Sequence, residues 1–312
     1  MPVNGLFLRQ QLEHVQNDVV TQDFPEMLMA SGAAVDISDE LPSGAETYSY
    51  KILTVLGEAK ILANGATDIP LVNAFAEKRT GFIRTIANAY AYTLEDLEGA
   101  DFAGMNLDSS MAIAAREVIE RKLDVLGYEG DAENNLLGMI NFPNVPVWTS
   151  PNNGNSNGGT SSTEWQHKTN EQVYDDLRNF AAATRVATNG AYNPMVIALP
   201  QDQFERIVGS PFPNNSASGE TILSFFLKTQ RATPAGVQTV IPMPYLQGKG
   251  TGGVDMMVSY IKRPDLVKFH VPLDFEQRPN PERDFSFRVP CRMRTGGIEV
   301  RKPLSMRYGE GI

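Results

Sequence analysis

The chain has 312 residues, 42% of them hydrophobic and 21% charged, with a net charge of −10. This composition excludes a wholly disordered chain, and the length suggests about two domains, each able to bury a core. The acidic balance argues against electrostatic wrapping of nucleic acid by the whole chain, the one cysteine excludes an intrachain disulfide, and no apolar run approaches the ~20 residues of a membrane helix.

The opening residues Met1 to Gly5 do not pair a basic segment with an apolar one, so no signal peptide is expected. Residues 1–47 read as a polar arm, broken at Pro42-Ser43-Gly44. Leu8, Leu12 and Val15 share one face of a short helix over Phe7 to Val15. Such an arm frays alone and gains order by lying on a neighbour. Residues 48–85 read as a long hairpin. A strand from Tyr48 to Leu62 meets Asn64-Gly65, which suits the positive φ angles of a type I′ turn, and the chain returns through Ile69 to Phe75. Glu58, Lys60, Asp68, Glu77, Lys78 and Arg79 charge it, and few large apolar residues line it, so it is marginal on its own.

Residues 86–133 hold the strongest helical signal. Phe82, Arg84, Ile86, Asn88, Tyr90 and Tyr92 first alternate as one face of a strand, and Thr93 with Asp96 makes a capping box for a short acidic helix to about Gly99. After a loop from Asp101 to Asn106, Asp108 is expected to cap a helix over 108–126. Ala112, Ala115, Ile119, Leu123 and Leu126 line its buried face, and Gly127 is expected to end it.

A polar stretch, Asp131 to Asn135, marks the boundary to a second region over 134–262. The low-complexity run from Ser150 to Thr163 reads as an exposed flexible loop. Thr169 and Gln172 cap a helix to about Ala187, with Val173, Leu177 and Phe180 inward. A buried strand over Met195 to Leu199 follows, then short helices over Gln201 to Val208 and Gly219 to Lys228, and strands near Val237, Val254 and Leu266. Residues 263–312 read as a return to the first region, with Phe285 to Lys302 as a hairpin interrupted at Gly296-Gly297. The fold class is α+β.

Charge is uneven along the chain. Residues 262–312 hold 11 Lys/Arg against 7 Asp/Glu, and the first 261 hold 16 against 30. The excess is either a solvated sheet face or a surface meeting a polyanion or an acidic neighbouring subunit. In a strand, Arg288, Arg292 and Arg294 share one face, and with Arg283 they form the candidate basic contact face.

Chemistry-bearing patterns are lacking. His14, His167 and His270 have no neighbouring His, Cys or paired carboxylate at metal-ligand spacing, and Cys291 reads as a small core residue. Gly248-Lys-Gly-Thr-Gly-Gly253 precedes a strand and lacks the Gly-Lys-Ser/Thr order of a phosphate loop. Asp175-Asp176 and Glu95-Asp96 point to different faces of their helices and are expected to be solvated. No catalytic residue, metal or cofactor is predicted.

The order of elements resembles a Hong Kong 97-type capsid subunit of a tailed bacteriophage. The local wording is similar in Tyr90-Ala91-Tyr92-Thr93-Leu94-Glu95-Asp96-Leu97-Glu98, in Asn106-Leu107-Asp108 with Ala112 to Glu120, in Leu136-Leu137-Gly138-Met139-Ile140-Asn141, and in the ending from Arg294 to Pro303. The resemblance spans about residues 48–312 and a small-capsid-protein family catalogued as a domain of unknown function. It implies an N-arm (1–47), an E-loop hairpin (48–85), a P-domain with a spine helix (86–133), an A-domain (134–262) and P-domain return strands (263–312).

It also implies a major capsid protein of the virion, made in the host bacterial cytoplasm. Such a protein builds hexamers and pentamers around double-stranded DNA, with a separate scaffolding protein, a portal and in some relatives a decoration protein, and no membrane partner. Ala63, Asn64, Gly65 and Asp68 are then the intersubunit E-loop tip, and Glu58, Lys60, Lys78 and Arg79 its contact charges. Encapsulin nanocompartment shells share a looser version of the same pattern, and a cytoplasmic enzyme with a hidden site is the reading from another class.

Overall fold

The computed structural model describes residues 26–61, 70–102, 107–156, 160–212, 219–232, 236–278 and 286–312. After β1 (Ile37–Ser38), the strands β2 (Thr47–Leu56) and β3 (Asn73–Phe82) pair antiparallel over ten residues each. β4 (Arg84–Thr93) leads into α1 (Leu94–Phe102) and α2 (Leu107–Glu129). Then come β5 (Val147–Thr149), β6 (Gly154–Ser156), β7 (Thr160–Ser162), α3 (Asn170–Ala187), β8 (Val196–Leu199), α4 (Gln201–Gly209), α5 (Ile222–Arg231) and β9 (Thr239–Pro242). β10 (Met256–Tyr260), β11 (Val267–His270), β12 (Leu273–Gln277), β13 (Ser286–Thr295), β14 (Gly297–Val300) and β15 (Arg307–Glu310) complete the described chain.

Three sheets organise the body. β13 pairs with β4 from Ser286–Thr93 to Thr295–Arg84, and β12 flanks β13. The inward residues Ile86, Tyr90, Val289, Cys291 and Met293 join a core with Ala115, Ile119 and Leu123 of α2, so the helix lies along this sheet. The second sheet runs β5-β15-β10-β8-β9. Its alternation divides two cores: Ile197, Leu199 and Met257 face α3, α4 and α5, while Val196, Ala198 and Val258 face the core shared with α2. The third sheet, β1-β11-β14, ties the arm to the returning strands.

Local signals in the sequence are matched by local geometry. The Thr93 N–H donates to Asp96 Oδ2 at 3.0 Å, and the Asp96 N–H donates to Thr93 Oγ1 at 3.2 Å. The box at Thr169 and Gln172 is likewise closed in both directions.

Four expectations are corrected. Helix α2 passes Gly127 and ends at Glu129. Gly130, at φ +67°, ends it, where a Cβ would meet the Leu136 carbonyl at 2.5 Å. Gly127 serves packing instead, since a Cβ there would lie 2.9 Å from Met29 Cβ. The arm is therefore not loose after residue 26: Met29, Ala34 and Val35 are buried, and the Met29 and Ala30 N–H groups donate to Asp124 Oδ1 at 2.7 and 3.2 Å. The boundary at 263 fails for the final residues, because β15 lies between β5 and β10 in the sheet of the second region. Finally, the run from Ser150 to Thr163 is not wholly a loose loop, because β6 and β7 pair within it and Ser150 is buried. The helix expected over Phe7 to Val15 lies outside the described residues.

Candidate subunit interface

The β2–β3 hairpin is the least covered part of the described chain. Leu53 and Val55 are each 59% exposed and Phe75 is 60% exposed. Its two faces differ. Register places Tyr48, Tyr50, Ile52 and Thr54 with Gly81, Arg79, Glu77 and Phe75 on one face, where Arg79 and Glu77 pair at 3.2 Å. The other face carries Ser49, Lys51, Leu53 and Val55 with Thr80, Lys78, Ala76 and Ala74, and all eight are exposed. Burying such apolar area returns roughly 25 cal/mol per Å², and the lone subunit leaves it in water. The predicted tip, Ala63, Asn64, Gly65 and Asp68, lies outside the described residues; Glu58 and Lys60 are exposed on the segment that follows β2.

The base of the hairpin is held firmly. The Tyr48 ring lies over Gly81, where a Cβ would collide with it, and its centroid is 4.6 Å from that of His270. Tyr48 Oη donates to the Gly296 carbonyl at 3.4 Å. Buried His270 Nε2 sits 2.6 Å from Oε2 of buried Glu299, whose Oε1 accepts from Arg301 Nε at 2.6 Å. Burial pushes the Glu299 carboxyl up, but these hydrogen bonds outweigh it and hold the group below the usual carboxylate range. Burial beside Glu299 pushes the Tyr48 phenol well above its ordinary value. Gly296 leaves room for His270 and Tyr48, and Gly297, at φ +69°, passes the Leu137 carbonyl where a Cβ would lie 2.6 Å away. An open cavity of about 540 Å³ beside this joint is lined by Tyr48, Gly81, Phe82, Leu136, Asn141 and Gly296. Sequence reading missed the His270–Glu299 pair because the residues lie on different strands; alternation alone assigns no partner across strands.

The β13 arginines share the outer face, opposite Ala91, Ala87 and Thr85 of β4. They are not equally free. Arg292 pairs with Glu276 at 2.6 Å, Arg294 donates to the Ser43 carbonyl, and Arg288 is exposed. Arg283 lies outside the described residues. Other cations of the basic end also have internal partners: Lys268 with Glu40 at 2.7 Å and Arg263 with Asp265 at 2.7 Å.

The adjacent carboxylates on α3 separate by environment. Asp175 is solvated and pairs with Arg178 at 3.1 Å. Asp176, expected in solvent, is buried instead: Lys168 Nζ lies 2.7 Å from its Oδ2, and Trp165 Nε1 donates to the same oxygen at 3.1 Å. Lys168 also donates to Ser150 Oγ at 2.6 Å and to the Pro151 carbonyl at 2.8 Å. The position of Asp176 between Val173 and Phe180, on the same buried side of α3, was the available signal. Among the described residues, no group of three His, Cys, Asp or Glu is placed to hold a metal, and no helix is long and apolar enough to cross a membrane.

A family model described as Major capsid protein matches residues 57–312. The chain belongs to the major capsid protein family. Its fold is the Hong Kong 97-type subunit fold of phage capsids. The capsid of Myoviridae phage XM1 superposes with a TM-score of 0.78 at 16% identity, over 99% of this chain and 100% of that one. A chain of Mycobacterium phage Ogopogo gives 0.60 at 12% identity, over 96% and 97%. A virus-like particle from Pyrococcus furiosus gives 0.54 at 10% identity, over 89% and 90%, a likeness of fold alone. No curated relative matches in sequence. Family membership makes this a structural protein of the virion capsid, one that assembles with copies of itself.

Proposed function

We propose that copies of the chain close as hexamers and pentamers into an icosahedral head around double-stranded DNA, with each β2–β3 hairpin lying on a neighbouring subunit. The observation that carries this reading is the ten-residue pairing of β2 with β3 combined with the exposure of Leu53, Val55 and Phe75. A two-stranded ribbon with an apolar exposed face is marginal in water and gains stability when covered. Charged residues of the hairpin, among them Glu58, Lys60, Lys78 and Arg79, set register more than affinity. Synthesis takes place in the bacterial cytoplasm, a separate scaffolding protein guides closure, and a portal and in some cases a decoration protein complete the head. Arg288, together with Arg283, Arg292 and Arg294, contacts packaged DNA without sequence preference.

Negative-stain microscopy of the purified protein, alone and with scaffold supplied, tests the proposal. Uniform closed particles, or free hexamers and pentamers, are expected. A monodisperse small species under both conditions overturns it, and particles that hold protein cargo in place of DNA reassign the shell to a compartment. Deleting Ala63 to Asp68 is expected to leave a folded, soluble subunit that no longer closes shells.

A further inference from the structure

The exposed face of the hairpin carries an unbalanced charge pair. Lys51 and Lys78 stand directly opposite each other in the β2–β3 register, both exposed. Side chains so placed lie about 5 Å apart at Cβ, and like charges there repel. The described residues of that face include no carboxylate: Ser49, Leu53 and Val55 flank Lys51, and Ala74, Ala76 and Thr80 flank Lys78. The opposite face differs, because Arg79 is already matched by Glu77. Two lysines held together without a counter-charge, beside Leu53 and Val55, call for a partner that is acidic at one point and apolar a short distance on.

Helix α1 has that pattern. Glu95, Glu98 and Phe102 fall at i, i+3 and i+7, so they share a face. Both glutamates are exposed, Phe102 is 97% exposed, and no residue of the helix is basic. Leu94, Leu97 and Ala100 are half-buried on the side turned toward the body. Spacing agrees as well. Glu95 to Phe102 spans roughly 10 Å along a helix, and Lys51 to Val55 spans roughly 13 Å along a strand. The α1 helix of the same chain begins at the far end of β4, roughly 30 Å along that strand from the base of the hairpin.

The geometry points to α1 of a second copy as the occupant of this face: Glu95 and Glu98 seat between Lys51 and Lys78, and Phe102 packs on Leu53 and Val55. This inference rests on the reading that the hairpin docks on a neighbouring subunit and names the surface it docks on. The arginine face of β13 is the weaker seat for α1, since Arg292 and Arg294 already have partners within the chain.

A charge swap tests it. Lys51→Glu with Lys78→Glu, and separately Glu95→Lys with Glu98→Lys, are each expected to cut the assembled fraction at least tenfold. Circular dichroism should show the folded subunit in both. All four substitutions together are expected to restore particles. In parallel, Lys51→Cys with Glu98→Cys is expected to give chain-to-chain disulfides on mild oxidation of assembled particles, a readout that does not depend on tolerance of the reversals. Absence of those crosslinks in closed particles overturns the inference. So does restoration of an Arg288→Glu variant, rather than of the lysine variant, by the α1 reversal. The two failures remain distinct: if the wild type forms no particles, or the tip deletion assembles normally, it is the docking of the hairpin that falls.

Discussion

Two hairpins of this chain are built on opposite principles. The β6–β7 hairpin has only three paired residues per strand, yet at its base Ser150, Trp165, Lys168 and Asp176 form a buried clasp with hydrogen bonds of 2.6 to 3.1 Å. The β2–β3 hairpin has ten pairs per strand and, among the described residues, is held at its base by Tyr48 against His270 and Gly296, while the face of Lys51, Leu53 and Val55 beyond stands in water. The first finds its partners inside its own subunit. The second has the backbone order of a strand pair without the burial that would stabilise it, which is the condition of an element whose partner is another copy. Strand pairing alone therefore does not tell where a hairpin belongs; the cover of its side chains does.

The clasp is the place to break this contrast most severely. Asp176→Ala leaves Lys168 buried without a counter-charge and is expected to destabilise the isolated subunit by about 3–5 kcal/mol, read as a lower midpoint in denaturant titration. The joint of the long hairpin comes next. Glu299→Gln weakens the bonds from His270 and Arg301 and is expected to cost about 1–3 kcal/mol near neutral pH. Because the folded Glu299 carboxyl is held below its ordinary value of 4.5, its contribution is full above that value and is lost as the pH falls through the lowered one. Unfolding free energies measured from pH 6 to pH 2 should fall less steeply for the variant than for the wild type; parallel curves would remove Glu299 from the account. The smallest effect on the subunit belongs to the exposed face. Leu53→Ser with Val55→Ser is expected to change subunit stability by no more than about 0.5 kcal/mol while strongly reducing closed particles. A large loss of stability in the monomer would place that face inside the subunit's own core.

Much of the fold was legible because its signals are local. Thr93 with Asp96 and Thr169 with Gln172 lie three residues apart, and the apolar faces of α2 and α3 repeat within a few turns. What was misread depends on contacts between distant segments. Gly127 looks like a helix end in the sequence, because nothing local reveals that Met29 packs against it. Asp176 looks solvated beside Asp175 until Lys168 and Trp165 are brought over it. The tight buried pair of His270 and Glu299 joins residues 29 apart, on strands β11 and β14. The hairpin itself was legible because alternation around Asn64-Gly65 is a local signal, but its exposed apolar residues were not: the sequence reads as poor in large apolar side chains there, whereas Leu53, Val55 and Phe75 stand uncovered.

The pairing of β4 with β13 joins segments about two hundred residues apart, and β15 supplies a strand of the second sheet from the last few residues described. Closing loops of that length is slow, since the entropy is lost before the contacts form. A nascent chain on the ribosome thus lacks strands of both principal sheets until β13 and β15 have been made. A growing polypeptide then carries its hairpin without a finished body behind it. The order of synthesis alone then separates the emergence of the hairpin from the completion of the body that anchors it.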